Sequence, residues 1–433
     1  MSDAAGLGAA DPFVDLIEPF SRRGVDLGLE RLQGALADLG HPERRFAAVQ
    51  VAGTNGKGSV CTLVHQALLA AGLRAGLYTS PHLVSWTERI RLGADCITAP
   101  ELRRHLQAAG PAARRHRLTP FELVTAAAFL AFADSGQELV VLEVGLGGRL
   151  DATSCHPRRE VVGFASIDLD HAEFLGPDVA TIASEKAGVL QPGMVAVSGP
   201  QRPEAAAVLR RRAGELGAEL RWPPLLDRQR WPLELPGAVQ SANGAVALGM
   251  LQALAERGWP IDETAIRQGF AAARWPGRLQ PHRWQGIPLL LDGAHNPAAA
   301  RALRAELDAD PGRYDLAPGP RRWVLGMLAA KQGPAILEAL LGPADRTWIV
   351  PVAGHSSWSV AALREALATG PQPGLAAQLQ AAADPGSAIR EAVQATDAER
   401  APVGAGCGDP PVIVAGSLYL IGQLLADAPG VRV

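Results

Sequence analysis

Cysteine is scarce. There are four in 433 residues, Cys61, Cys96, Cys155 and Cys407, with no C-x-x-C pair and no ladder of spacings. That argues against a structural zinc and against a disulfide framework. Positive charge is not in excess. The net charge is −3, which gives no electrostatic reason to expect a nucleic-acid partner. Basic clusters such as Arg114-Arg115 and Arg210-Arg211-Arg212 are short and isolated. Long apolar runs are missing too. The longest, LVTAAAFLAFA at 123–133, is too short to span a bilayer. The start, MSDAAGLGAADPF, lacks the basic and apolar segments of a signal peptide. A cytoplasmic protein without a membrane partner is therefore expected. Aromatics are only 5% of the chain, and abundant Ala and Gly read as tightly packed α/β layers rather than a β-sandwich.

The length is too great for one ordinary core, so two domains are the first expectation. Strand-like and helix-like segments alternate. FAAVQVA (46–52) reads as a buried strand, and Val60, Leu63, Val64, Ala67, Leu68 and Ala71 then follow helical spacing up to a stop at Gly72. Residues 75–79, 138–145, 160–171 and 194–199 read as further strands. Strands separated by helices imply a parallel, doubly wound sheet. The stretch AARWPGRLQPHRW (272–284) is placed as the boundary, giving domains of 1–278 and 284–433. Beyond it IPLLLDG, RRWVLGML, RTWIVPV and PPVIVAGS read as strands, and Pro297 opens a helix. Residues 368–410 are weakly patterned, and GAGCGDPP (404–411) reads as a loop.

The stretch VAGTNGKGSV (51–60) lies between a strand and a helix. It resembles the G-x-x-x-x-G-K-[ST] loop but is two residues short, and Gly58 stands between Lys57 and Ser59. Glycines let backbone approach phosphates, free N–H groups at the helix start face the anion, and Lys57 can neutralise phosphate oxygens. The plain alternative is a glycine-rich turn. Ser80, in TSPHL, falls at a strand's carboxyl end, where open α/β sheets bind ligands. Otherwise it belongs to a Ser-Pro turn. Glu143 sits inside an apolar strand, where a carboxylate is costly unless paired or metal-bound. It suits a magnesium site, or a buried ion pair with Arg149. His171 follows a strand and is either a ligand or a structural histidine. Lys186 falls near the end of a helix starting around Asp178, and on periodicity alone could be a surface lysine. In LDGAHNP, Asp292 and His295 lie at a strand's carboxyl end, or in a plain capping turn. No Ser-His-Asp or Cys-His pairing has a believable context.

Taken together, GLERLQGALADLG, VAGTNGKGSV, YTSPHL, ERIR, TPFELVTAAAF, EVGLGGRLDAT, DH…LG, EKAG, GRL, LDGAHNP and AGSLYLIG, in this order, resemble the folylpolyglutamate synthase/dihydrofolate synthase family of the Mur ligase superfamily. The resemblance runs from about residue 27 to the end of the chain. It implies the Mur ligase architecture: an α/β chain with an N-terminal P-loop-type sheet domain and a smaller C-terminal Rossmann-like domain. It also implies an ATP-dependent ligase of folate biosynthesis. A substrate carboxylate attacks the γ-phosphate of ATP, and the amine of L-glutamate then attacks the acyl phosphate. By resemblance Asn55, Gly56, Lys57, Gly58 and Ser59 contact ATP phosphates, and Asn243, Arg278 and Asp292 the rest of the nucleotide. Ser80 and Glu143 would hold one Mg²⁺, and His171 a second together with a carbamylated Lys186. Thr119, Pro120, Phe121, Glu122, Leu150, Asp151 and Ala152 would contact the pterin substrate, and His295 would line the ligand cleft.

Asp151 and TPFE favour dihydropteroate as a substrate besides reduced folates. The alternatives are a monofunctional folylpolyglutamate synthase, a Mur-type peptidoglycan ligase, or a nucleotide-binding module without ligase activity. A monomer is expected, with small-molecule substrates as its partners. Ser154, Val239, Ala330 and Gln332 depart from the family pattern and touch the finer substrate contacts.

Overall fold

The computed structural model describes residues 12–316, 319–397 and 410–426. The chain divides at Trp275–Pro276 into two units. The first contains β1 (Ala47–Ala52), β2 (Ala75–Tyr78), β3 (Ile90–Leu92), β4 (Asp95–Cys96), β5 (Leu139–Glu143), β6 (Arg159–Phe164), β7 (Val195–Ser198) and β8 (Glu219–Arg221). Their order across the sheet is β4-β3-β2-β5-β1-β6-β7-β8. β2, β5, β1, β6, β7 and β8 run parallel. β3 and β4 add an antiparallel edge. The reading of a parallel sheet misses that edge because strands this short show no period.

Every residue of β1 is buried, as expected for a central strand covered on both faces. Ala47, Val49 and Val51 point into one core, which includes Leu63 and Leu68 of the helix Lys57–Ala70, Met250 and Leu254 of Gln240–Glu256, and Phe270 of Glu263–Ala272. Ala48 points into the other, with Leu102 and Leu106 of Ala99–His116 and Phe129 and Phe132 of Pro120–Asp134. This alternation is the two-residue period of a strand.

The second unit contains β9 (Gln280–Trp284), β10 (Ile287–Leu291), β11 (Arg322–Leu325), β12 (Arg346–Ile349), β13 (Leu379–Ala381) and β14 (Val412–Ala415). They lie in the order β13-β12-β11-β14-β10-β9. All neighbours are parallel except β9, antiparallel to β10. β9 occupies part of the proline-rich stretch, and its edge position tolerates Pro281. The weakly patterned segment also holds structure, namely β13 and the helix Pro385–Asp397. Cys407 and most of GAGCGDPP lie outside the described residues.

Asp345 is the polar hub of this unit and is only 4% exposed. Its carboxylate accepts from Arg304 Nη1 at 2.8 Å, Trp323 Nε1 at 3.0 Å and the amides of Gly342 at 2.9 Å and Arg321 at 2.8 Å. Asp345→Ala strands several buried donors and an arginine, so it is expected to cost about 3 kcal/mol. Denaturant unfolding checks this; a loss within about 0.5 kcal/mol, the range of surface substitutions, would contradict it.

Candidate active site

Four neighbouring strands of the first unit, β2, β5, β1 and β6, send their carboxyl ends to one edge of the sheet. The phosphate-type loop follows β1, Ser80 follows β2, Glu143 ends β5, and the DLDH segment follows β6. Such an edge is where open α/β sheets bind ligands.

The loop is pinned from the β6 side. The amides of Thr54 and Asn55 donate to the Ser166 carbonyl at 2.7 and 3.2 Å. Thr54 Oγ1 donates to the Asp168 carbonyl at 2.9 Å and accepts from its amide at 3.1 Å. Gly56 then enters the helix at φ +93°, a conformation that L side chains resist. No side chain caps the helix there, unlike the helices capped by Thr98, Thr119 and Asp178. The first-turn amides, those of Lys57, Gly58 and Ser59, are thus available to an anion. Lys57 Nζ donates to the Thr54 carbonyl at 3.2 Å. Asn243 donates to Gln240 Oε1 at 2.9 Å, and its side chain fills the space a Cβ on Gly56 would need.

Glu143 is buried and lies opposite Val51 in the register of β1 and β5. Its Oε2 accepts from the Ser80 amide at 3.1 Å. Arg149 pairs instead with Glu185, Nη2 to Oε1 at 3.0 Å. Glu143 and the Ser80 hydroxyl are hard oxygen donors, which suit a divalent cation beside phosphates. Among the described residues no three His, Cys, Asp or Glu side chains gather as a metal cage. His171 adopts a left-handed conformation at φ +53° and lies 4.0 Å from Asp170 Oδ2.

Lys186 is not a surface lysine. It sits near the end of the helix Val179–Ala187 and is 5% exposed. Burial pushes its ammonium down to about 7, the nearby charge of Lys57 adds to the drop, and Asp170 and Asp151 oppose it. The GLGGR turn packs against this helix end. Arg149 N donates to the Glu185 carbonyl at 2.9 Å, and a Cβ on Gly148 would lie 3.0 Å from the Lys186 carbonyl oxygen.

The acceptor-side candidates divide into framework and exposed groups. Thr119 and Glu122 form a capping box: Glu122 Oε2 accepts from Thr119 N at 2.7 Å, and Thr119 Oγ1 from Glu122 N at 3.2 Å. Glu122 also pairs with Arg31 at 3.0 Å. Asp151 is buried, and Oδ2 accepts from the amides of Gly145 at 3.0 Å and Leu146 at 2.9 Å. Its Oδ1 accepts from Thr153 N at 3.0 Å and from the Thr153 hydroxyl. Burial raises its carboxyl against the pull of these bonds. Pro120 and Ala152 are buried as well, whereas Phe121 and Leu150 are half-exposed. Phe121 lies 6.1 Å from the Tyr78 ring, centroid to centroid.

In the second unit Asp292 is buried and accepts from Leu279 N at 3.0 Å and Ala294 N at 2.9 Å. Burial raises its carboxyl, and Arg278 opposes the rise. Arg278 Nη1 donates to the Gly277 carbonyl at 2.9 Å. His295 Nδ1 donates to the Gly293 carbonyl at 2.8 Å. Asn296 caps the helix Pro297–Ala309.

Sequence reasoning passed over Asp170, Arg31, Gln50 and Arg159. Asp170 is legible as the second acid of DLDH at a strand end. The others act through partners far along the chain and leave no local signal.

Comparison with known proteins gives one concordant result. A model of the dihydrofolate synthetase C-terminal domain matches residues 277–427. The dihydrofolate synthetase of Saccharomyces cerevisiae is 31% identical, over 93% of this chain and 97% of its own. The dihydrofolate synthase/folylpolyglutamate synthase of Escherichia coli is 34% identical, over 84% of this chain and 87% of its own. A bifunctional folylpolyglutamate synthase/dihydrofolate synthase from Yersinia pestis, solved with AMPPNP and a manganese ion, superposes with a TM-score of 0.77. It is 31% identical, and the match covers 97% of this chain and 98% of that one. With relatives 31–34% identical over 84–97% of this chain and carried by the same fold, the chain belongs to the folylpolyglutamate synthase/dihydrofolate synthase family.

Proposed function

We propose that this protein is an ATP-dependent amide ligase that joins L-glutamate to dihydropteroate and to reduced folates. The observation that carries the reading is the gathering of an uncapped helix start, Lys57, Glu143, Ser80 and the buried Lys186 around one sheet edge. Family membership, with relatives named for both activities, narrows the reading to folate substrates.

The chemistry needs no enzyme nucleophile. The acceptor carboxylate attacks the γ-phosphorus of ATP, ADP leaves, and an acyl phosphate forms. The glutamate amine then attacks the acyl carbon, loses a proton and expels phosphate. The protein must align the reactants and offset negative charge. Asn55, Gly56, Gly58 and Ser59 cradle the phosphates through the loop and first helical turn, and Lys57 adds a point charge. Ser80 and Glu143 would hold one magnesium ion, and His171 and Lys186 a second, which would supply charge neutralisation for phosphoryl transfer. In that role Lys186 is carbamylated: its neutral amine forms an N–C bond with CO₂ and releases a proton. Phe121 and Leu150 face the pterin, and Thr119, Glu122 and Asp151 hold the backbone that presents them. Residues 1–278 supply ATP and pterin binding, and residues 284–433 serve glutamate ligation.

Phosphate release from Mg-ATP with L-glutamate tests the reading, with dihydropteroate and tetrahydrofolate in separate reactions. Release with both is expected. Release with tetrahydrofolate alone would reduce the enzyme to a polyglutamate synthase, and release with neither would overturn the assignment.

A further inference from the structure

Gln50 is an oddity in β1. A carboxamide in the middle of an apolar strand, it is fully buried and lies three residues before the phosphate loop begins at Gly53. The pairing of β1 with β6 shifts register between Ala48 and Gln50, the kind of irregularity that re-aims a side chain. Three of the amide's four hydrogen-bonding sites are used, both N–H groups among them. Its Oε1 accepts from Arg159 Nη1 at 2.7 Å. Its Nε2 donates to Thr153 Oγ1 at 2.8 Å and to Ser154 Oγ at 3.0 Å.

Chemistry fixes the direction of every bond. A guanidinium only donates, so the amide oxygen must face Arg159. Thr153 gives its hydroxyl hydrogen to the Asp151 carboxylate, and Ser154 gives its own to the Gly148 carbonyl at 2.7 Å. Both hydroxyls must therefore accept from Gln50. The chain of donors starts at a buried arginine and ends on Asp151 and Gly148. Those two residues shape the Gly145–Ser154 turn, through the Gly145 and Leu146 amides and the packing against Lys186.

We propose that Gln50, oriented by Arg159, is a positioning residue that holds the acceptor turn in register with the phosphate loop. It ties the strand feeding one to the hydroxyls holding the other. The proposal rests on the acceptor-side reading of residues 145–154 given above.

Steady-state kinetics of Gln50→Leu, with melting temperature measured alongside, tests it. A turn displaced by a fraction of an ångström should lower kcat/KM for dihydropteroate by roughly 30-fold, with the KM for ATP within about twofold of wild type. Arg159→Lys in the chain that keeps Gln50 retains a donor toward Oε1 and should show only a small part of that loss. In hydrogen exchange, the Gly145 and Leu146 amides should lose protection in Gln50→Leu, whichever acceptor the enzyme uses. Wild-type kinetics and wild-type protection in a folded Gln50→Leu would overturn the proposal. So would a loss shared equally between ATP and acceptor. If Gln50→Leu does not fold, Ser154→Ala decides by the same two readouts, with a drop of about fivefold expected. Failure of the function reading shows separately, as wild-type enzyme inactive with dihydropteroate. The kinetic comparison then passes to tetrahydrofolate, and the exchange comparison stands unchanged.

Discussion

Replacing Lys57 with alanine is expected to lower phosphate release by about 10³-fold or more, with the fold retained. A positioned donor or cation aimed at developing charge contributes about 3–4 kcal/mol in a site shielded from water. The lysine's structural duty is small, a hydrogen bond from Nζ to the Thr54 carbonyl of its own loop. The loop is held independently through Ser166 and Asp168, so the melting temperature should scarcely move. Lys57→Arg should fare little better, because a planar fork replaces a compact point charge. Phosphate release measured beside circular dichroism separates the two effects. Unchanged turnover in the alanine variant would remove the loop from the phosphate site.

The second large effect concerns Lys186. Its amine holds a proton up to about 10.5 in the unfolded chain and only up to about 7 when folded. Between those values unfolding takes up a proton, so stability rises with pH from about 7 toward 10.5. Below 7 both states are protonated and the gain is gone, leaving the full cost of burying an ammonium. Lys186→Met should flatten this part of the stability profile in CO₂-free buffer, while abolishing turnover. A variant whose unfolding midpoint still climbs like the wild type's would contradict the assignment. The same neutral amine is what CO₂ requires. Stripping CO₂ should slow the wild type, bicarbonate should restore it, and ¹³C-bicarbonate should give a carbamate resonance that Lys186→Met lacks. No resonance and no CO₂ dependence would leave Lys186 as an ordinary buried amine.

What could be read in advance followed from local physics. β1, β5 and β10 are apolar runs bounded by glycine, and the helix start after β1 needs only its glycines and its spacing. Glu143 drew notice because a carboxylate within VVLEVG has to be accounted for. The setting of Lys186 lies beyond a periodicity reading, since the charged groups that act on it, Lys57, Asp170 and Asp151, come from other parts of the chain. TPFE carries the T-x-x-E signature of a capping box, a local signal that a reading centred on substrate contact passes over. The Arg31–Glu122 and Gln50–Arg159 bonds join residues far apart in the chain, and no window on the sequence contains both partners. β13 and Pro385–Asp397 were hidden by alanine, which fits helix, edge strand or loop equally well.

The placement of β1 also governs how the molecule comes into being. Ala47 pairs with Leu139 on one side, and Ala48 with Arg159 on the other. The strand made first is therefore flanked by strands made much later. On the ribosome, β1 emerges with both hydrogen-bonding edges bare and no partner until residues beyond 139 follow. Closing so long a loop delays the reward of pairing and slows folding. For that interval an apolar strand, headed for the centre of the sheet, is exposed to other nascent chains. High-level expression of this protein should thus be limited by the survival of its first hundred residues in the cell more than by the stability of the finished enzyme.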